Sequence, residues 1–267
     1  MAFPDAPVRE TKSPKYEWPR HLLFSTMITF YDIPFTVPGR ALSPYTWITK
    51  CCLKVKGLEF NTEWVDLVDI TPLCKKIGAE PTIVTSDGRE MYTLPVIHDP
   101  STRKTISDSF KIAQYLDEAY PETPRIVPPG TTSLHRAFMS AVHKLEADIY
   151  PLIIATTFAH VPESSREYFR RTREAFLKKP LEEVSRTADE AKETWEKVKA
   201  SFAVFDSWYE KDAVFIGGKE PCFADLMLAG RIFWIRSVFG EESIEWKNVE
   251  GWNHGRWNKL LRTFEEK

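Results

Sequence analysis

Apolar positions change their period once along this chain, near residue 120. Before that point, short runs of β-branched and aromatic residues alternate with stretches at helical spacing. After it, only the helical spacing remains. Ile28 to Ile33 reads as a strand, and Pro34, Pro38 and Gly39 then break the chain into a loop. Ser43-Pro44 predicts a helix start, with a hydroxyl at the cap and proline at the first helical position. The stripe Trp47, Ile48, Cys51, Cys52 and Val55 carries this helix to Gly57. Phe60 to Val68 predicts a second strand, Thr71 to Pro81 one weak helical turn, and Asp87-Gly88 a hairpin or loop. Thr93 to Ile97 and Thr105 to Ile106 read as short strands. Ser107 then opens a helix through Phe110, Ile112, Ala113, Tyr115 and Leu116. The predicted order is β-α-β-α-β-β-α.

Pro121 to Gly130 holds four prolines and a glycine and reads as a linker. Beyond it, Leu134 to Ala159, Glu167 to Leu177, Pro180 to Glu210 and Ala224 to Phe239 all show helical spacing. Trp252 to Phe264 forms a last helix, and Pro151 is expected to kink or interrupt the first of the series. At the other end, Pro4, Pro7, Pro14 and Pro19 interrupt any regular element, so residues 1–26 read as an extended, flexible tail. The predicted organisation is a tail over 1–26, an α/β domain over 27–120, a linker over 121–130 and an all-helical domain over 131–267.

Composition narrows the function classes. The chain has 267 residues, 43% hydrophobic and 28% charged, which suits a globular protein with a substantial core. A formal net charge of -2 provides no electrostatic case for nucleic acid or an anionic membrane surface. No segment approaches the roughly 20 apolar residues of a spanning helix. Four cysteines with no CxxC or zinc spacing, and no evident signal peptide, point to a reducing, cytoplasmic setting. The six histidines show no ligand spacing, so no metal is expected.

Three local features carry candidate chemistry. Ser43, at a helix N-terminus, sits where unsatisfied N–H groups and a partial positive charge stabilise an anion such as a thiolate; alternatively it only caps the helix. Leu94-Pro95 places a proline in an apolar strand, which requires a sheet edge or a special bond. A cis bond there turns the Leu94 backbone outward for an extended peptide, while the plainer reading is an edge proline. Asp108-Ser109 opens the next helix. Ser109 with the helix N–H groups suits a carboxylate and Asp108 suits an ammonium group, or the pair merely complements the helix dipole.

In this order, and followed by a helical half, these features resemble the glutathione transferase superfamily over residues 27–267. The second half adds Gly217-Gly-Lys-Glu-Pro-Cys-Phe-Ala-Asp225, similar to the family's capping box, with Cys222 where Ser or Thr is usual and Asp225 in the partner role. Ser-Pro-aromatic followed by Thr46-Trp47, the long loop Phe35 to Leu42, and the phrase ending Lys54-Val-Lys-Gly57 resemble the fungal FuA class and the bacterial β-etherases. Relatives often carry a polar residue where Tyr45 stands and a base where Ile48 stands.

The resemblance implies a thioredoxin-like N-terminal domain plus an all-α C-terminal helical bundle. It implies glutathione as co-substrate: Ser43 on the sulfur, Leu94 beside a cis Pro95 on the cysteinyl unit, and Asp108 and Ser109 on the γ-glutamyl group. The implied activity is attack of the glutathione thiol on small hydrophobic or aromatic electrophiles, lignin-related phenolics and ether cleavage included. The competing reading is a ligandin that binds aromatic compounds with little turnover. A homodimer is the family's habit. Cys51 and Cys52 read as core thiols beyond the field of the helix N-terminus. Phe233, Trp234 and Phe239 read as bundle packing. His143 and Tyr150, about two turns apart, are candidates for an acceptor site.

Overall fold

The computed structural model describes residues 27–37, 41–184 and 187–265, the side chain at position 146 excepted. The expected tail falls outside the described residues, as does the middle of the Phe35 to Leu42 loop.

The first half comprises β1 (Ile28–Asp32), α1 (Pro44–Val55), β2 (Phe60–Trp64), α2 (Ile70–Lys76), β3 (Ile83–Val84), β4 (Glu90–Met91), β5 (Val96–Asp99), β6 (Lys104–Ser107) and α3 (Ser109–Ala119). Four strands form one sheet in the order β2-β1-β5-β6, and β3-β4 is a separate hairpin turning at Gly88. β1 pairs parallel with β2, which requires the α1 crossover, and antiparallel with β5. All five residues of β1 are buried, as a central strand covered on both faces should be.

The register decides what meets at the end of this sheet. Tyr31 lies opposite Val96, and Val96 lies opposite Ser107, so one row crosses β1, β5 and β6. Just beyond that row come Asp32 and Ile33 on the first strand, Leu94-Pro95 before the second, and Asp108-Ser109 after the third. The loop leaving β1 returns to the same edge, where Leu42 N–H donates to the Ile33 carbonyl at 3.2 Å. Ser43 is the next residue.

The second half comprises α4 (Thr132–Ala159), α5 (Glu163–Leu177), a single 3-10 turn (Leu181–Glu183), α6 (Ala188–Asp206), α7 (Phe223–Phe239) and α8 (Ile244–Glu265). Every residue of α7 except Arg236 and Phe239 is buried, the pattern of a helix enclosed on all sides. It packs against α1, α4 and α8 and so joins the two halves. At its crossing with α1, Gly230 lets the backbones approach. A Cβ there would lie 2.7 Å from both Ile48 Cγ1 and the Pro44 carbonyl oxygen.

Several boundaries differ from the sequence expectation, each for a physical reason. The second strand stops at Trp64, not Val68: its ladder with β1 ends on the bond from Val65 N–H to the Asp32 carbonyl at 2.8 Å, and Leu67 N–H is taken by Ser165 Oγ at 3.0 Å. The third long helix of the first half starts at Ser109 rather than Ser107, since Asp108 caps it. Pro180 to Glu210 divides. Its α-helix begins only after the capping box in which Thr187 Oγ1 accepts from Glu190 N–H and Glu190 reaches back to Thr187 N–H. Pro151 lies inside α4 without ending it. Within α8, Trp252, Asn253, His254 and Gly255 leave helical geometry, so an additional helical stretch precedes the one expected from Trp252.

The proline-rich segment 121–130 is anchored by a buried ion pair. Lys56 Nζ lies 2.8 Å from Asp117 Oδ1 and also donates to the Pro124 carbonyl, while the Asp117 carboxylate accepts from Ile126 and Val127 N–H.

Candidate active site

Ser43 occupies the N-cap of α1 in extended conformation, with Pro44 at the first helical position. Its Oγ accepts from Tyr45 N–H at 3.2 Å, which leaves the hydroxyl proton to donate elsewhere. The side chain is 9% exposed, so it reaches solvent only at the mouth of the helix. Thr46 Oγ1 donates to the Ser43 carbonyl at 3.0 Å and steadies the first turn.

The Leu94-Pro95 bond is cis. The ladder begins at Val96, and among the described residues no backbone group pairs with the N–H or the C=O of Leu94. Asp108 has φ +78°, and its Oδ1 accepts from Phe110 N–H at 2.9 Å and Lys111 N–H at 3.0 Å. The capping reading therefore accounts for one carboxylate oxygen. Ser109 is buried at the first position of α3. All five predicted site residues thus stand at the one sheet end that the Tyr31–Val96–Ser107 row defines.

The set-aside candidates divide. Burial pushes the Cys51 thiol up to about 12 and the Cys52 thiol well above its usual range, so neither is a ready nucleophile. Phe233 stacks on Trp47 at 4.5 Å with the rings 9° from parallel, and Phe239 packs against Trp195. The His143 ring lies 6.5 Å from that of Tyr45, next to Ser43, whereas Tyr150 meets Phe176 of α5. His143 thus stands beside the aromatic ring that follows Ser43.

Three neighbours escaped sequence reasoning. Arg231, fully buried on α7, places its guanidinium 4.5 Å from the Tyr45 ring centre. Gly230 sets the height of the α1 N-terminus against α7. Asp32 ends β1 with no exposure: Oδ1 accepts from Ile33 N–H at 2.7 Å, and Oδ2 is buried with no hydrogen-bond partner among the described residues. Burial pushes its carboxyl up to about 6, with Thr46, the Ile33 N–H and Lys50 pulling the other way. An acid inside an apolar strand and a glycine inside an apolar helix were the available signals. A cavity of about 260 Å³ opens between α1, α7 and the end of α8, lined by Trp47, Lys50, Phe233, Arg236 and Phe264 and not by Ser43. Among the described residues no group of three His, Cys, Asp or Glu gathers as a metal site.

The first half is a thioredoxin-like domain whose first helix opens on Ser-Pro and whose cis-proline strand precedes an Asp-Ser helix, and a helical bundle backs it. The comparisons agree. Residues 42–119 match the glutathione S-transferase N-terminal domain and residues 133–266 its C-terminal domain. The chain belongs to the glutathione S-transferase family. It is 30% identical over 252 residues to the glutathione S-transferase-like protein ustS of Aspergillus flavus, covering 86% of this chain and 87% of that one. A glutathione S-transferase of Ceriporiopsis subvermispora, CsGST63524, solved in complex with glutathione, superposes with a TM-score of 0.86 at 42% identity over 90% of this chain and 97% of its own. GSTFuA3 of Phanerochaete chrysosporium superposes with a TM-score of 0.83 at 38% identity, covering 90% and 96%. No helix among the described residues is long and apolar enough to cross a membrane.

Proposed function

We propose that this chain is a serine-type glutathione transferase that ionises the glutathione thiol at Ser43 and directs it to small hydrophobic or aromatic electrophiles. The observation that carries the reading is the convergence of Ser43, the unpaired Leu94 backbone and the Asp108-Ser109 helix start at one end of the sheet.

In this reading the Ser43 hydroxyl, already accepting from Tyr45 N–H, donates its proton to the sulfur. The α1 N-terminus adds its dipole. Leu94 N–H and C=O pair with the cysteinyl unit as a short added strand. Ser109 and the first N–H groups of α3 receive the γ-glutamyl carboxylate, and the second oxygen of Asp108 takes the ammonium. Lowering a thiol pKa by about two units requires roughly 2.7 kcal/mol, within reach of one charge-assisted hydrogen bond plus a helix dipole. The half-buried Tyr45 ring, with His143 and Arg231 beside it, supplies an aromatic wall for the acceptor. Among acceptors, lignin-related aryl ethers fit the FuA and β-etherase resemblance. There the sulfur bonds to carbon as the C–O bond breaks, and the oxygen leaves with the electron pair.

Cytoplasmic placement and a homodimer belong to the same reading. The exposed apolar residues Ile83, Val84 and Met91 of the β3-β4 hairpin support a second copy as partner, and sedimentation as a monomer would remove it.

The test is a glutathione titration with the bound thiolate read by ultraviolet difference absorbance against pH, in wild type and Ser43→Ala. A lowered thiol pKa that rises in the variant is expected. Tight binding with an unshifted pKa, and background turnover of several electrophiles, would instead make the protein a ligandin. Absence of binding refutes the site.

A further inference from the structure

The cavity between α1, α7 and the end of α8 has no part in the chemistry assigned to Ser43. None of Tyr45, Leu94, Asp108, His143 and Arg231 lines its 260 Å³. Its wall is aromatic: Trp47 and Phe233, both buried, stack with ring centres 4.5 Å apart. Its charge is cationic, with Lys50, Lys54 and Arg236 in the lining against one acid, Glu265.

The three cations differ in what already holds them. Arg236 is paired with Glu265 and lies 5.2 Å from the Phe233 ring centre. Lys54 Nζ donates to the Phe264 carbonyl at 2.8 Å and to the Glu265 carbonyl at 3.3 Å. Those bonds fasten the end of α8 to α1 and use two of the three ammonium N–H groups. Lys50 Nζ rests over the Trp47 ring, 5.0 Å from its centre. A cation–π contact at a half-exposed position is weak, and a carboxylate is the stronger partner for an ammonium.

We propose that this cavity is a second ligand site, separate from the glutathione and acceptor sites, and that it takes a single-ring aromatic carboxylate. The carboxylate draws the Lys50 ammonium off Trp47 and accepts the remaining Lys54 N–H. The ligand ring then lies against the indole where Lys50 had rested. Size agrees: an apolar cavity of about 150 Å³ admits benzene, so 260 Å³ holds one ring and its carboxylate. Charge selects the class. A neutral ring of the same shape gains the aromatic contact without the charge-assisted bonds, and an aromatic cation is repelled. The site also adjoins the segment that carries Ser43. Trp47 donates its indole N–H to the Ala41 carbonyl and its backbone N–H to the Ser43 carbonyl, both at 3.3 Å.

The test is calorimetric titration of the full chain with benzoate, benzamide and benzylammonium, with and without saturating S-benzylglutathione. That conjugate fills the glutathione and acceptor sites together. Benzoate should bind about tenfold more tightly than benzamide, weaken as salt rises, and keep its affinity beside the conjugate. Benzylammonium should not bind. Lys50→Met should weaken benzoate about tenfold and leave benzamide unchanged, while Lys50→Arg should retain benzoate. The benzamide comparison separates loss of the charge from loss of the fold. Displacement of benzoate by S-benzylglutathione would move it to the acceptor site and overturn the proposal. Equal affinity for benzoate and benzamide, full benzoate affinity in Lys50→Met, or no benzoate binding at all would do the same. None of these outcomes bears on Ser43, whose role is read from the glutathione thiolate titration.

Discussion

Gly230→Ala tests whether the α1–α7 crossing sets the position of the catalytic end. Two effects oppose one another. In a helix interior alanine is favoured over glycine by about 1 kcal/mol, so on propensity alone the variant gains stability. Against that, the new methyl meets Ile48 Cγ1 and the Pro44 carbonyl oxygen, each 2.7 Å away, with Ile48 N at 3.4 Å. Carbon contacts are comfortable only at about 3.5–4.0 Å, so the helices must separate by close to 1 Å. Ile48 has no exposure and Pro44 opens α1, so neither neighbour has room to yield. Overpacking of this kind costs about 1–3 kcal/mol, and two unyielding contacts put it toward the upper end. The expected net loss is about 1–2 kcal/mol, a fall in Tm of roughly 3–6 °C for a chain of this size.

The displaced element begins at Ser43, and misplacement by about 1 Å can reduce turnover on the order of a hundredfold. Thermal unfolding and the glutathione thiolate titration read the two consequences separately. Gly251→Ala is the internal control. A Cβ at that position meets nothing within 4 Å, so only the propensity gain applies and Tm should hold or rise. If Gly230→Ala is as stable as Gly251→Ala, the close approach is not a constraint. If Tm falls while the thiol pKa and turnover stay at wild-type values, the crossing serves stability alone.

Three further outcomes are expected. Lys56→Met strands the buried Asp117 carboxylate and should lose about 3–5 kcal/mol in urea unfolding, with part recovered in the Lys56→Met, Asp117→Asn double variant; a loss under 1 kcal/mol would mean the pair is hydrated. Asp32 holds its proton up to about pH 6, above its ordinary value of 3.8, so the native state binds more protons than the unfolded chain between those values. Its contribution is therefore complete below 3.8 and is lost as pH rises through 6. Asp32→Asn should accordingly exceed wild type by up to about 3 kcal/mol at neutral pH, with the gap closing on acidification, and a pH-independent gap would contradict the assignment. Trp47→Ala removes the stack on Phe233 and the Nε1–H bond to the Ala41 carbonyl at 3.3 Å. It should cost about 3–5 kcal/mol, whereas a change near zero would show that the α1–α7 contact is sustained elsewhere.

The chemistry that depends on local backbone was legible in the chain. Ser43-Pro44 can only open a helix, Leu94-Pro95 has to leave the sheet ladder, and Cys222 with Asp225 closes a cap, because each is settled within a few residues. The change of hydrophobic period near residue 120 likewise separated the α/β half from the helical half. What depends on distant partners was not legible. The second strand ends at Trp64, and beyond it the Leu67 amide finds Ser165 of α5 rather than the sheet. His143 and Tyr150 share a helix, but the ring of His143 meets Tyr45 of α1 and that of Tyr150 meets Phe176 of α5. Asp32 reads as a polar interruption of a strand until α1 covers it and removes its water. Gly230 reads as a weak point in a helix until a second backbone arrives within reach of its missing Cβ. The sequence by itself determined which residues can cap, turn or present a hydroxyl. The tertiary structure alone decided which of them share a dielectric and a distance, because burial and contact arise only when segments far apart in the chain are packed together.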